Sequence, residues 1–172
     1  MIKKININIP TKTNKRIINL LSEIDGWSFG YDNNSNQVNV NKADAGFTLK
    51  TYNNSFKYID NSSLNCFAYL ISDIVEKNTF FKFKLINRIH WNWYHPGSNM
   101  EFHSDESLDN FFSIVYNLHT NDGGTEFNIN DKNTFYSSNE SEALFFPSKI
   151  QHKGIAPTKN FNRFSLNIVV EI

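Results

Sequence analysis

The chain has 172 residues, 17 basic and 17 acidic side chains, 40% hydrophobic and 15% aromatic content, and 16 phenylalanines. That length suggests one domain able to bury a core without disulfide staples, and the aromatic content argues against disorder. The charge balance offers no electrostatic basis for a nucleic-acid or membrane surface, and a single cysteine, Cys66, permits no intrachain disulfide and fits a reducing cytosolic compartment.

The N-terminus, MIKKININIP, has no apolar core of the signal-peptide kind, so no leader is expected. Ile5, Ile7 and Ile9 alternate with polar residues, which predicts a short strand ended by Pro10. In TKTNKRIINLLSEIDG the positions Ile17, Leu20, Leu21 and Ile24 have helical spacing. Thr11 or Thr13 is the expected cap and Gly26 the stop. Residues 27–61 are rich in Asn, Ser and Tyr, with short strand-like pieces. A second helix is expected over Ser62–Lys77 with Leu64, Phe67, Ala68, Ile71, Ile74 and Val75 as its buried stripe and Cys66 packed at the edge. From residue 80 onward the period changes to two. Strands are expected at 81–94, 111–118, 125–129, 134–137, 143–146 and 163–172, separated by the turn signals HPG, NDGG, NDKN and PSK. The longest apolar runs, such as ALFF, are too short to span a bilayer. Helices followed by many short strands predict an antiparallel sandwich or barrel with helices packed on one side.

Two strands have sharply divided faces. In KFKLINRIHWNWY, Phe83, Leu85, Ile89, Trp91 and Trp93 share one face, and Arg88, His90, Asn92 and Tyr94 the other. In RFSLNIVVEI, Phe164, Leu166, Ile168 and Val170 oppose Arg163, Ser165 and Asn167. Such polar faces either meet water or line a pocket inside a small barrel, and the strand pattern leaves both open.

The stretch YHPGSNMEFHSDE carries His103-x-Asp105. On an extended segment both side chains point the same way, roughly 7 Å apart at Cα, so an imidazole and a carboxylate can meet one ion. A further histidine would complete a facial triad of two imidazoles and one carboxylate, which leaves adjacent coordination positions open. His-x-Asp alone recurs by chance. The histidines downstream are His119, at the lip of the NDGG turn, and His152, after ALFFPSKIQ. Arg163 is the only arginine downstream of them, with Ser165 on its face; the whole chain has three, Arg16, Arg88 and Arg163. Scarce arginine beside abundant Asn, Lys and Ile is expected of an AT-rich microbial or viral genome.

Taken in order, these pieces resemble the Fe(II)/2-oxoglutarate-dependent oxygenases, most closely their prolyl-4-hydroxylase-like branch. The matching motifs are Tyr94-His-Pro-Gly97, His103-x-Asp105, a Gly123-Gly124-Thr-Glu-Phe127 turn opening a strand, Phe145-Phe-Pro147 ahead of His152, and Arg163-x-Ser165, over residues 83–172. The resemblance implies a fold that is mainly β with supporting helices: a double-stranded β-helix, or cupin-like jelly roll, with N-terminal helices packed on one sheet. Polar strand faces would then line the interior. It implies one domain over 1–172, with 1–80 as helical support and substrate-side segment and 81–172 as the jelly-roll core.

By the same resemblance, His103, Asp105 and His152 would bind Fe(II), with no catalytic residue beyond that site. Arg163 and Ser165 would hold the far carboxylate of 2-oxoglutarate, with Arg88 as the rival cation. Tyr94 would hydrogen-bond the co-substrate or serve as a core aromatic. Asn117 stands where the family often has a tyrosine, with Tyr116 one residue away and the strand register open. His90, His95 and His119 are expected to be structural or near the pocket mouth. The implied reaction consumes O₂ and 2-oxoglutarate, releases succinate and CO₂ and hydroxylates a C–H bond, with ascorbate as an optional accessory. The primary substrate would be a prolyl or other peptide residue, or a small molecule. Aromatics at Tyr31, Phe47, Tyr52, Phe56 and Tyr58 and the loop 106–110 are expected to flank the pocket. No nucleic-acid or membrane partner is expected, and the location implied is the cytoplasm of a microbe or of a virus-infected host. Two alternatives remain: a cupin-type metal enzyme that does not use 2-oxoglutarate, and a non-catalytic jelly-roll binding module.

Overall fold

A computed structural model describes residues 1–29, 46–54, 58–59, 62–98, 100–159 and 161–172. Two sheets, both antiparallel throughout, face each other. Their strands in chain order are β1 (Lys3–Asn6), β2 (Ser28–Phe29), β3 (Phe47–Asn53), β4 (Tyr58–Ile59), β5 (Leu85–Tyr94), β6 (Phe111–Asn117), β7 (Asn121–Ile129), β8 (Lys132–Ser138), β9 (Glu142–Pro147), β10 (Gln151–Ile155) and β11 (Arg163–Glu171). The major sheet runs β1-β9-β6-β11-β5-β3-β2, with β4 paired to β3, and the minor sheet runs β10-β7-β8. This is the expected mainly-β jelly roll. Strands β1, β2, β3 and β4 show that the part of the chain before β5 adds to the major sheet as well as supplying the helices α1 (Thr11–Glu23) and α2 (Ser62–Lys77).

Both helices pack on the outer face of the major sheet. Leu21, Leu64, Phe67, Ala68, Ile71 and Val75 join Ile89, Trp91, Ile114, Phe164, Leu166, Ile168 and Val170 in one buried cluster. The apolar faces of β5 and β11 therefore face the helices. The opposite faces, with Arg88, His90, Asn92, Arg163, Ser165 and Asn167, are buried too, so they line the interior and do not meet water. A separate apolar cluster of Val115, Phe127, Leu144 and Phe146 joins β6 and β9 of the major sheet to β7 of the minor sheet.

Four local expectations are corrected. The N-cap of α1 is Pro10 without a side-chain cap; its main-chain carbonyl accepts from Thr13 and Asn14 at 2.8 and 3.2 Å, so neither threonine caps. Cys66 is exposed rather than packed, because α2 turns its buried stripe away from that position. Gly123 and Gly124 do not form a turn before a strand. They lie inside β7, at an irregularity of its pairing with β8 between Asn121 and Gly124. A Cβ on Gly124 would stand 2.2 Å from the Tyr136 carbonyl oxygen, so the close approach of β8 requires glycine there. The strand β10 carries no period-two signal and was not anticipated. Among the described residues no helix is long and apolar enough to cross a membrane.

Candidate metal centre

His103 lies in the extended segment before β6, and His152 lies in β10. An isolated bridge pairs them, with main-chain N–H groups donating both ways at 2.9 Å. Residues 49 positions apart in sequence are thereby locked side by side. The Asp105 N–H donates to the Ser148 carbonyl at 2.9 Å, which pins the carboxylate next to the two rings.

The imidazoles are oriented from behind. His103 Nδ1 donates to the Glu101 carbonyl at 3.1 Å and His152 Nδ1 to the Ile150 carbonyl at 2.9 Å. A carbonyl only accepts, so each Nδ1 carries a proton, and in a neutral ring the Nε2 lone pair is then left for the front. Those lone pairs face Asp105: Oδ1 is 3.9 Å from His103 Nε2 and Oδ2 is 3.5 Å from His152 Nε2. One ligand atom from each of the three residues falls within 4.8 Å of the others. Burial, and then the neighbouring His152, hold the His103 imidazole below its usual range, in the neutral ligand form. Three acceptors converging on one point repel unless a cation stands between them, so the donor set fits a borderline divalent metal. Among the described residues this is the one group of histidine, cysteine or acidic side chains with such spacing; His90, His95 and His119 lie outside it.

Asp105 is held by three donors from three strands: Arg88 of β5, Ser113 of β6 and Asn167 of β11. The Asn167 amide is 3.1 Å from Oδ2, and Arg88 Nη1 also reaches the Asp105 carbonyl at 3.3 Å. Burial pushes the carboxyl up, but the Arg88 charge, followed by the two imidazoles and the Ser113 hydroxyl, overrides it and keeps the group ionised far below the usual range. Arg88 is thus partnered to the triad and does not face the pocket as a free cation.

Beside the triad opens a polar pocket whose walls include Asn92, Tyr94, Thr125, Gly154, Arg163, Ser165 and the two triad histidines. Cross-strand register builds it: Arg163 pairs with Tyr94, Ser165 with Asn92 on one side and Asn117 on the other. Arg163 is 1% exposed. Its Nη2 makes two long contacts, 3.4 Å each, to Asn117 Oδ1 and Thr125 Oγ1, and its Cζ sits 4.8 Å from the Tyr94 ring centroid. Its Nε and Nη1, and the Ser165 hydroxyl, are buried without a hydrogen bond. Burial pulls the Arg163 pKa below its usual value and pushes the Tyr94 phenol up, against the opposing Arg163 charge. Asn117 faces this interior beside Arg163. Tyr116 faces the helices, where its hydroxyl donates to Asn14 at 2.7 Å, which resolves the register.

Other sequence candidates lie elsewhere. Phe47 stacks on Trp93 at 5.0 Å on the outer face, and Tyr52 packs in the helix-side cluster, so neither flanks the pocket. The loop 106–110 supplies no pocket wall; Glu106 accepts from Asn87 at 3.0 Å. Tyr31, Phe56 and the Tyr58 side chain lie outside the described residues. Sequence reasoning missed Ser113, Thr125 and Gly154, and assigned no role to Asn167. For Asn167 the signal was there, a polar residue two positions after Ser165 on the same face.

No family model matches the sequence, and no curated protein matches it significantly. Solved structures do. A prolyl-4-hydroxylase from Pseudomonas putida aligns with TM-score 0.65 and 13% identity over 99% of this chain and 92% of its own. HygX from Streptomyces hygroscopicus, with nickel and 2-oxoglutarate bound, aligns with TM-score 0.66 and 9% identity over 99% and 82%. The α-ketoglutarate-dependent epimerase SnoN from nogalamycin biosynthesis aligns with TM-score 0.71 and 8% identity over 98% and 76%. The resemblance to the Fe(II)/2-oxoglutarate-dependent oxygenases, prolyl-4-hydroxylases included, is therefore one of fold as well as of motif, and the chain carries the double-stranded β-helix that these enzymes share.

Proposed function

We propose that the protein is an Fe(II)- and 2-oxoglutarate-dependent oxygenase that hydroxylates a C–H bond. The observation that carries this reading is Arg163: a guanidinium 1% exposed, with two nitrogens lacking any hydrogen bond and no carboxylate paired to it among the described residues. An unpaired charge is costly to bury, and a chain retains one where a ligand completes the pair. A planar fork suits a carboxylate. The pocket lined by Arg163 is lined by His103 and His152 too, so a dianion spanning from metal to arginine fits the layout.

With Fe(II) and 2-oxoglutarate bound, the site would reduce O₂ while 2-oxoglutarate is decarboxylated to succinate and CO₂ and a substrate C–H bond is oxidised. The chain supplies the positions. His103, Asp105 and His152 would hold the ion, a ligand set that leaves coordination positions for co-substrate and O₂. Arg163, with the Ser165 hydroxyl, grips the far carboxylate of the co-substrate. Tyr94 lies over Arg163 and lines the same wall, and Asn117 steadies the guanidinium from behind. Val115 and the apolar cluster behind it keep water from that end. A cupin-type enzyme without 2-oxoglutarate would have no use for a buried, unpaired arginine. A binding module would not need both imidazoles braced with their lone pairs forward.

The likeness to a prolyl-4-hydroxylase supports a prolyl or other peptidyl substrate; the likeness to an epimerase marks the other outcome of a product analysis. A reducing cytoplasm suits a ferrous ion and the exposed Cys66 thiol. The test is an anaerobic titration of metal-free protein with Fe(II) and then 2-oxoglutarate, read by the visible charge-transfer band of the chelated keto acid. Wild type is expected to show the band. Iron binding with no band leaves the cupin-type reading, and no iron binding leaves the binding module.

A further inference from the structure

We propose that Arg88 is the resident counter-cation of the metal-free centre: it holds the Asp105 carboxylate in place until a metal ion binds, and its charge makes that binding weaker and more readily reversed. The inference rests on the reading of His103, Asp105 and His152 as a metal centre.

The Asp105 side chain is fully buried and Arg88 nearly so, with side-chain exposures of 0% and 9%. The guanidinium bonds to Asp105 twice, through the carboxylate and through the main-chain carbonyl, so it grips both ends of one residue. The other two partners of the carboxylate, Ser113 and Asn167, are neutral. Arg88 is therefore the one permanent positive charge bonded to this buried anion among the described residues.

Two consequences follow from electrostatics. Without metal, removing Arg88 leaves a buried carboxylate with neutral donors only, a strongly destabilising change. With metal, the dication and the guanidinium share one carboxylate and repel each other across it. Both effects act in the same direction: the metal-free state is raised and the metal-bound state relieved, so loss of the Arg88 charge tightens metal binding. A purely mechanical brace predicts the opposite, since a loosened Asp105 would bind metal more weakly. Ser113 and Asn167 remain to orient the carboxylate in either case.

The experiment uses the full chain with Co(II) as probe, followed by its visible absorption and by thermal unfolding, at neutral pH. Arg88→Met is expected to melt below wild type without metal, to bind Co(II) about tenfold more tightly, in the range of ordinary coupling between sites, and to gain more in melting temperature from Co(II) than wild type does. Arg88→Lys, which keeps the charge, should return both properties towards wild type. Arg88→Met combined with Asp105→Asn should melt above Arg88→Met alone without metal, because the orphaned charge is gone. If Arg88→Met is unfolded until Co(II) is added, the proposal is supported in its extreme form. Co(II) binding in Arg88→Met equal to or weaker than wild type overturns it, as does a double variant no more stable than the single one. Wild-type protein that binds neither Co(II) nor Ni(II) removes the metal-centre reading itself, whereas failure confined to the Arg88 variants removes this inference alone.

Discussion

Replacing Arg163 with methionine should make the ligand-free protein more stable while removing its affinity for 2-oxoglutarate. The side chain is 1% exposed, two of its nitrogens have no hydrogen-bond partner, and its remaining contacts are two long bonds of 3.4 Å and the face of the Tyr94 ring at 4.8 Å. Methionine keeps most of the apolar volume and removes an uncompensated charge. Replacing even paired buried charges with apolar groups of similar size is often neutral or stabilising by up to about 1–4 kcal/mol. At this chain length each kcal/mol moves the melting temperature by roughly 2–4 °C, so a rise of a few degrees is expected. Binding moves the other way. Truncating one partner of a buried charge pair costs about 2–5 kcal/mol, which weakens 2-oxoglutarate by roughly 30- to 4,000-fold at 1.4 kcal/mol per decade. Co(II) or Fe(II) affinity should stay unchanged, because Arg163 touches none of the triad. The assay pairs differential scanning fluorimetry of metal-free protein with calorimetric titration of 2-oxoglutarate into the metal-loaded protein. A lower melting temperature together with intact 2-oxoglutarate binding would refute the argument, since it would mean that Arg163 already has its partner within the fold.

Other substitutions separate the parts of the site. His152→Ala should abolish metal binding and all 2-oxoglutarate turnover; turnover that persists would disprove the triad. Gly154→Ala places a Cβ 2.6 Å from the Tyr94 hydroxyl and Cζ, so Tyr94 must shift; stability should fall by about 1–3 kcal/mol and 2-oxoglutarate should bind more weakly with metal affinity retained, and an unchanged Kd would show that Tyr94 does not contribute. His90 is pushed down to about 3, by burial first and then by Arg88 and Lys50. Its folded pKa lies below its unfolded value, so the unfolded chain binds the extra proton, and stability present above about pH 6.5 is lost as pH falls from there towards 3. His90→Gln should flatten that part of the melting-temperature profile, and a profile that keeps its slope would rule out His90 as the source. Ile71→Ala, in the buried stripe of α2, should cost about 2–5 kcal/mol in denaturant unfolding without changing metal affinity at saturating folded protein.

Much of the architecture follows from period alone. The stripe Leu64, Phe67, Ala68, Ile71, Val75 defines α2 over its full observed length, because an apolar face 3.6 residues in period has one compact solution. The alternation in β5 and β11 divides those strands into a helix-facing and an interior side by the two-residue pleat. The order of His103, Asp105, His152 and Arg163 drew attention to these positions because histidine and arginine are scarce in this chain, with five and three copies. The strand β10 escaped notice: QHKGI has no alternation, and its pairing comes from β7 and from the bridge to His103. The roles of the two interior arginines were likewise undecidable locally. Arg88 and Arg163 sit on the polar faces of neighbouring strands with the same kind of flanking pattern. Register places Arg163 opposite Tyr94 and Arg88 opposite Val169, and the path of the 103–105 segment brings Asp105 to Arg88 alone. Charge pairing depends on distance across strands, a coordinate that the order of residues along the chain does not contain, so composition and period set the fold and its polar interior while tertiary contact decided that Arg88, and not Arg163, pairs with a carboxylate among the described residues.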